Sequence, residues 1–476
     1  MRKGVSIVLN RKVGAKVKAQ SRRDTRFTKT LVVVMAIAVL AVTVLAVIGC
    51  GGTTPEVTTP EVTTPETSPE TTAPGVGSSE GISDDEILLG SMGPRTGPIT
   101  QFATGNATIE MIFKEINAQG GIKFKDGKTR QINFVWYDDA YNPQKAVEQG
   151  KRLVEKDHVF AVITSIGTPT NMALRPYLNA NGVPHVLVGS GSTVWGSEMS
   201  EYPWTVGWQP NYAGEANILV RFLKRDHPEV KTVAMIYQND DFGQDYAGSF
   251  MRAAEEAGLS VVGLEGFERT DTSIQAQIIK LAATKADVFM NAATPSFAAQ
   301  AIKAIHGTDW QPVHLLASIA GSTSNMKAAG DDAAEGVYSP TYAGDPLTPS
   351  FRDSDTMKEF LAMYEKYKPE FLNPDDMLSI DAWSRAEIVA HVLSEMPELT
   401  RESFMDTLMH VTALETSGLL PGIKTTYNGL ADPFGIESEW MQQYRDGSWH
   451  LIGDGPITDF EGSNPEPGIE YFKSHR

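Results

Sequence analysis

The sequence predicts an α/β fold built from two doubly wound parallel-sheet lobes. Three observations carry that prediction. From residue 84 to residue 318, short apolar runs of strand length alternate with single helical patterns, which implies parallel strands with helices on both faces. Residues 138–190 and 271–318 share one layout: acidic turn, helix, strand, Thr-Pro followed by Thr or Ser, helix, strand. At 476 residues the chain also exceeds what a single small core holds.

The chain opens with ten Lys/Arg and one Asp in residues 1–49, a local +9 in a chain of net charge −18, so the remainder sits at −27. So acidic a body is a poor partner for nucleic acid, and none is expected. A basic stretch from Arg2 to Lys29, an apolar run over 31–49 and then Cys50 follow the order of a secretory signal. The ending Val47-Ile48-Gly49-Cys50 resembles a bacterial lipobox, which predicts lipidation of Cys50 and attachment to the membrane through that lipid. An uncleaved spanning anchor is the other reading, since the run is long enough to cross a bilayer. Both put the rest of the chain outside the cytoplasm. Cys50 is the single cysteine, so disulfides and cysteine chemistry within the body are excluded. Residues 50–83 are rich in Thr, Pro and Glu and bury too little to order themselves, so they read as an extended tether.

The folded body is expected from residue 84. Strands are predicted at 87–90, 132–137, 159–163, 185–188, 232–237, 260–264, 287–291 and 313–316. Helices are predicted between them at 102–117, from Pro143, and at 171–179, 244–257, 274–283 and 297–306. In the first of these, Ile109, Ile112, Phe113 and Ile116 share one face. Longer amphipathic helices follow at 356–367, 379–396 and 402–410, then a strand at 438–444 with an Asp446-Gly447 turn.

Enzyme signatures are missing. No serine sits in a G-x-S-x-G elbow, no H-x-x-x-H pair offers zinc ligands, and neither a calcium loop nor a phosphate loop occurs. No cofactor or metal is expected. His185 and His314 lie in apolar strands and read as core or rim residues. The acidic pairs at 138–139, 240–241, 331–332 and 375–376 read as surface turns. Ligand chemistry is sought instead at the carboxyl ends of the strands, where open α/β sheets bind. Thr168-Pro169 and Thr294-Pro295 stand there, suited to capping a helix and to presenting its free N–H groups to an anion. Gly189-Ser190-Gly191-Ser192-Thr193 follows strand 185–188 and exposes backbone to a ligand.

Five motifs, in order and spacing, resemble the leucine/isoleucine/valine-binding group of the type I periplasmic binding proteins over about residues 84–455. They are Gly97-Pro98-Ile99, the run Ile116-Asn117-Ala118-Gln119-Gly120-Gly121-Ile122, Tyr137-Asp138-Asp139-Ala140, Gly182-Val183-Pro184 and Asp241-Phe242-Gly243. The resemblance implies a non-catalytic receptor that captures an amino acid, an amide or an apolar or aromatic carboxylate. It would deliver this small-molecule solute to ABC permease and ATPase subunits on other chains; a ligand-sensing receptor of the same fold is the alternative. It implies lobes at 84–210 with 343–416 and at 211–338 with 426–455, a tail at 456–476, and three crossover strands near 208–213, 338–343 and 416–426. Carried over by position, Thr168 would hold a ligand carboxylate, with Ser190 or Ser192 adding contacts. Phe102 and Phe242 would be the cleft aromatics, with Trp195 and Trp208 near, and Thr294 the contact from the second lobe. Ser318 stands where amino-acid binders place an acid for the ligand ammonium, so the resemblance implies a shifted preference unless Asp240 or Asp241 supplies the charge.

Overall fold

In the computed structural model the chain is described over residues 79–97, 99–459 and 465–476. The signal predicted at 1–49, Cys50, the predicted tether up to residue 78 and Pro98 lie outside those residues. Strands β1 (Glu86–Gly93), β2 (Ile122–Lys123), β3 (Thr129–Asp138), β4 (Ala161–Ile163), β5 (His185–Val188) and β6 (Thr205–Gly207) form one sheet. Its order is β2-β3-β1-β4-β5-β6, parallel apart from the short β2 on β3. The second sheet comprises β7 (Thr232–Gln238), β8 (Ser260–Phe267), β9 (Val288–Ala292), β10 (Val313–Leu316), β11 (Tyr338–Thr341), β12 (Ser438–Arg445) and β13 (Ser448–Thr458). Its order is β13-β12-β11-β10-β9-β7-β8, with β12 and β13 antiparallel.

Alternation explains the layering. In β1, Ile87 and Leu89 enter a core with the helices Ala103–Ala118 and Met377–Glu395. Leu88 and Met92 enter the opposite core, with Ala146 and Leu153 of helix Pro143–Glu155 and Leu174 and Leu178 of helix Thr168–Ala180. Helix starts follow local chemistry: Asn142 accepts from the Lys145 N–H at 3.1 Å with Pro143 behind it, and Asn211 accepts from Gly214 at 2.8 Å. Ile109, Ile112 and Phe113 are buried on helix Ala103–Ala118, as the spacing predicts.

The chain passes from the first sheet to the second after β6, at Trp208–Asn211, and returns after β11, where Tyr342 and Ala343 enter the first core. Residues 414–427 stay with that core. Leu420 donates to the Tyr342 carbonyl, Trp208 Nε1 to the Thr425 hydroxyl at 3.2 Å, and Tyr427 to the Gly207 carbonyl at 2.7 Å. Ile436 is still in it, so the third passage comes directly before β12, later than the 416–426 the resemblance implies. The tail beyond 456 ends in helix Gly468–His475, laid on helix Asp241–Glu256. A side chain on Gly248 would stand 1.8 Å from the Gly468 carbonyl oxygen, so two glycines let these backbones approach.

Candidate ligand-binding cleft

A sheet whose chain winds first one way and then the other leaves a crevice where the order reverses. Here the reversals lie between β1 and β4 in one sheet and between β7 and β9 in the other. The segments after these strands face each other across one cleft. A small cavity of about 30 Å³ is lined by Ile99, Phe102, Tyr141, Ile166, Gly167, Thr168, Gly189, Tyr212, Phe242, Thr294 and Ile319. The space is that of a water or two, so the lobes are closed on each other.

Four of the residues expected from sequence line it: Phe102, Thr168, Phe242 and Thr294. Ser190 joins them through its hydroxyl, 2.7 Å from that of Thr168. Tyr212 places its hydroxyl 3.4 Å from Thr168 and 3.5 Å from Ser190, completing a cluster of three. Neither threonine uses its hydroxyl as a cap. Gly167 precedes helix Thr168–Ala180 with φ +101°, and Thr294 spends its hydroxyl on the Gln238 side chain at 2.9 Å. Thr168 opens this helix, and the orphan donors and dipole of a helix start favour negative charge.

Two expected contacts, Ser192 and Ser318, fall elsewhere. Ser192 donates to Asp245 at 2.5 Å, and Thr193 adds its N–H at 2.8 Å and its hydroxyl at 2.6 Å. Asp245 also accepts from the Ile469 N–H at 3.1 Å, so one carboxylate of the second lobe gathers a first-lobe loop and the last helix. Burial pushes its carboxyl above the usual range. Ser318 is buried behind the cleft, giving its N–H at 2.8 Å and its hydroxyl at 2.6 Å to Glu215, which also accepts from Tyr246 at 2.6 Å. The acid at this place is therefore Glu215, held from behind. Trp195 braces the Ser190 carbonyl at 2.9 Å, and Trp208 packs on Tyr342 at the hinge; neither lines the cavity.

Nor do Asp240 and Asp241 line it. Asp240 caps helix Asp241–Glu256 through the Gly243 N–H at 3.2 Å, and burial raises its carboxyl to about 6. Asp331 and Asp332 are exposed as the sequence suggests, but the other acidic pairs are less superficial. Asp138 fixes the loop after β1, accepting from the Arg95 and Thr96 N–H groups at 2.8 and 3.1 Å. Asp139 is fully buried and is raised by that burial to about 7. The pair also holds Ala140 and Tyr141 in the left-handed region, φ +51° and +54°, by accepting their N–H groups at 3.0 and 2.7 Å. This turn sends Tyr141 to the cleft. Local sequence gives that much signal: two Asp before a residue that has to leave the strand. Tyr212 shows less, only its place after Pro210-Asn211. His185 is a satisfied core residue, bonded to Ser165 and Asn171 at 2.9 Å and lowered by burial to about 3. His314 packs against Phe289, 4.8 Å between centroids.

Among the described residues no group of His, Cys, Asp and Glu could hold a metal ion, and no helix is long and apolar enough to cross a membrane. A family model described as periplasmic binding protein matches residues 86–434. The Leu/Ile/Val-binding protein homolog 7 of Brucella abortus (strain 2308) is 22% identical over 324 residues, 65% of this chain and 77% of its own. The leucine-, isoleucine-, valine-, threonine-, and alanine-binding protein of Pseudomonas aeruginosa is 23% identical over 336 residues, 70% and 84% of the two chains. A solved branched-chain amino acid ABC transporter protein from Thermus thermophilus with bound valine matches with a TM-score of 0.68 at 18% identity, covering 83% of this chain and 100% of its own. A fatty acid ABC transporter substrate-binding protein from Thermomonospora curvata matches at 0.67 and 20%, covering 82% and 97%.

Proposed function

The chain belongs to the periplasmic binding protein family, and from that premise we propose that it is an extracytoplasmic, lipid-anchored solute receptor of an ABC-type importer. It closes two lobes on a small solute and hands it to a permease carried by other chains; it does no chemistry on the ligand. The observation that carries this reading is the hydroxyl cluster of Thr168, Ser190 and Tyr212 at a helix start, inside an otherwise apolar cleft that both lobes build. Such a cluster suits a carboxylate or an amide oxygen, and Phe102, Phe242, Tyr141, Ile166 and Ile319 suit an apolar body.

The same geometry favours an apolar or aromatic carboxylate, or an amide, over an α-amino acid. An ammonium at Ser318 would need an acid, and both Glu215 oxygens are already occupied. The fold itself serves solutes of either kind, since its solved examples include one with bound valine and one from a fatty acid transporter. A thermal-shift screen of the full chain against amino acids, amides and carboxylates tests the reading. At a hundred times its dissociation constant a ligand stabilises by about 2.7 kcal/mol. A shift with amine-free acids or amides supports it, a shift with leucine or valine alone redirects it to amino acids, and a flat panel counts against it. For the anchor, mass analysis of the mature N-terminus should find an acylated Cys50, and Cys50→Ser should release the protein from membranes.

A further inference from the structure

The cleft has a second, smaller cavity of about 20 Å³ that shares Phe102, Ile166, Gly189 and Ile319 with the first. Ile319 follows β10 on the second lobe, whereas Phe102, Ile166 and Gly189 belong to the first. Opening the hinge would withdraw Ile319, the second-lobe residue the two cavities share, and leave both open along the first lobe. Of all the residues lining either cavity, only Asp381 and Arg385 carry charge.

Both lie on helix Met377–Glu395, one turn apart and buried. Arg385 pairs with Asp381 through Nη2, and the Tyr342 hydroxyl donates to the other Asp381 oxygen at 2.9 Å. The guanidinium lies over the Trp208 ring, 5.1 Å from its centroid. Its Nη1 reaches the backbone shared by the two cavities, since a Cβ built on Gly189 would stand 2.9 Å from it. Its Nε has no hydrogen-bond partner among the described residues, although the side chain is only 5% exposed. A guanidinium carries five N–H donors in a fixed fork, and burying one with donors unspent is costly unless something else takes them. An unpaired Nε alone does not set this residue apart, since Arg175 in its pair with Glu198 leaves one too; what does is that Arg385 lines the cleft cavity itself.

We propose that Arg385, backed by Asp381, is a second anion anchor of the cleft, and that the solute is a short apolar dicarboxylate. One carboxylate goes to the Thr168–Ser190 cluster, the chain lies along Phe102 and Ile166, and the far carboxylate takes Arg385. This rests on the reading above that the first pole holds a carboxylate. Arg matches that far group because its fork binds carboxylates through two parallel bonds.

The test is calorimetric titration of the full chain in detergent with dicarboxylates from succinate to suberate, each against the monocarboxylate of equal length. At least one dicarboxylate should bind about tenfold or more tighter than its monocarboxylate. The pair Asp381→Asn with Arg385→Gln removes both charges together, so no buried charge is stranded. It should abolish the preference and leave monocarboxylate affinity within about threefold, while Arg385→Lys keeps part of the preference. Equal binding of the two acids by the native chain, or a preference that survives in the neutral pair, overturns the anchor and leaves the carboxylate reading standing. Binding of neither kind of acid counts against both.

Discussion

Replacing Asp139 by asparagine isolates what one buried carboxyl contributes to stability. The residue is fully buried, one oxygen accepts from the Tyr141 N–H at 2.7 Å, and the other has no hydrogen-bond partner among the described residues. Burial raises its carboxyl from 3.8 to about 7. Between those values the folded protein holds a proton that the unfolded chain has released, so stability falls as pH rises through the window. At about 1.4 kcal/mol per pH unit of displacement, ionisation should cost the native protein up to ~4 kcal/mol at pH 8 and almost nothing at pH 4. Asparagine keeps the bond to Tyr141 and cannot ionise. Allowing ~1 kcal/mol for a weaker acceptor, Asp139→Asn should gain about 3 kcal/mol at pH 8 and be neutral or slightly destabilising at pH 4. Urea unfolding of both proteins at pH 4, 5, 6, 7 and 8 measures this, and the other buried acids cancel in the difference. A difference independent of pH, or a less stable variant at pH 8, would refute the argument by showing that the folded carboxyl titrates no higher than it does in the unfolded chain.

The remaining predictions concern the cleft and its closure. Thr168→Val removes the hydroxyl 2.7 Å from Ser190 at constant shape and should weaken an acid found in the screen by ~1–2 kcal/mol, about five- to thirtyfold by titration. Gly167→Ala sets a Cβ 2.4 Å from the Tyr141 ring at a φ of +101°, so the fold should lose about 2–4 kcal/mol in urea unfolding. Asp245→Asn loses acceptors for Ser192 and Thr193, so X-ray scattering of the unliganded chain should show a larger radius of gyration than the native protein. An unchanged radius would mean that closure does not depend on these bonds.

Much of the fold was legible because strand and helix leave different periods, and the central strands are apolar for most of their length. The short β6 was not, and β11 was placed only through the resemblance, since three or four residues carry no period and their pairing is set by neighbours. In the cleft, Thr168 and Thr294 could be placed because each follows a strand end, and Phe102 and Phe242 through the resemblance. Ser192 and Ser318 follow strand ends too, but Asp245 and Glu215, distant in sequence, draw them away from the cavity. Position along the chain says where a segment sits. It does not say which buried acid will claim its hydroxyl. Arg385 left no trace at all, being mid-helix and brought to the cleft only by the packing of helix Met377–Glu395 on helix Ala103–Ala118.

The three passages between sheets also govern how such a chain acquires its structure. The first core needs residues 377–411 and 423–436, more than a hundred residues after β6 closes its sheet. The second sheet is finished only by β12 and β13, and helix Gly468–His475 arrives last. No N-terminal fragment contains a finished lobe, so a growing chain can collapse locally but cannot commit to the native state until almost all of it is present. Long sequence separation between partners slows folding. For the exported receptor proposed above, that delay would be an advantage: the last strands and the closing helix are fitted only after the whole chain is through.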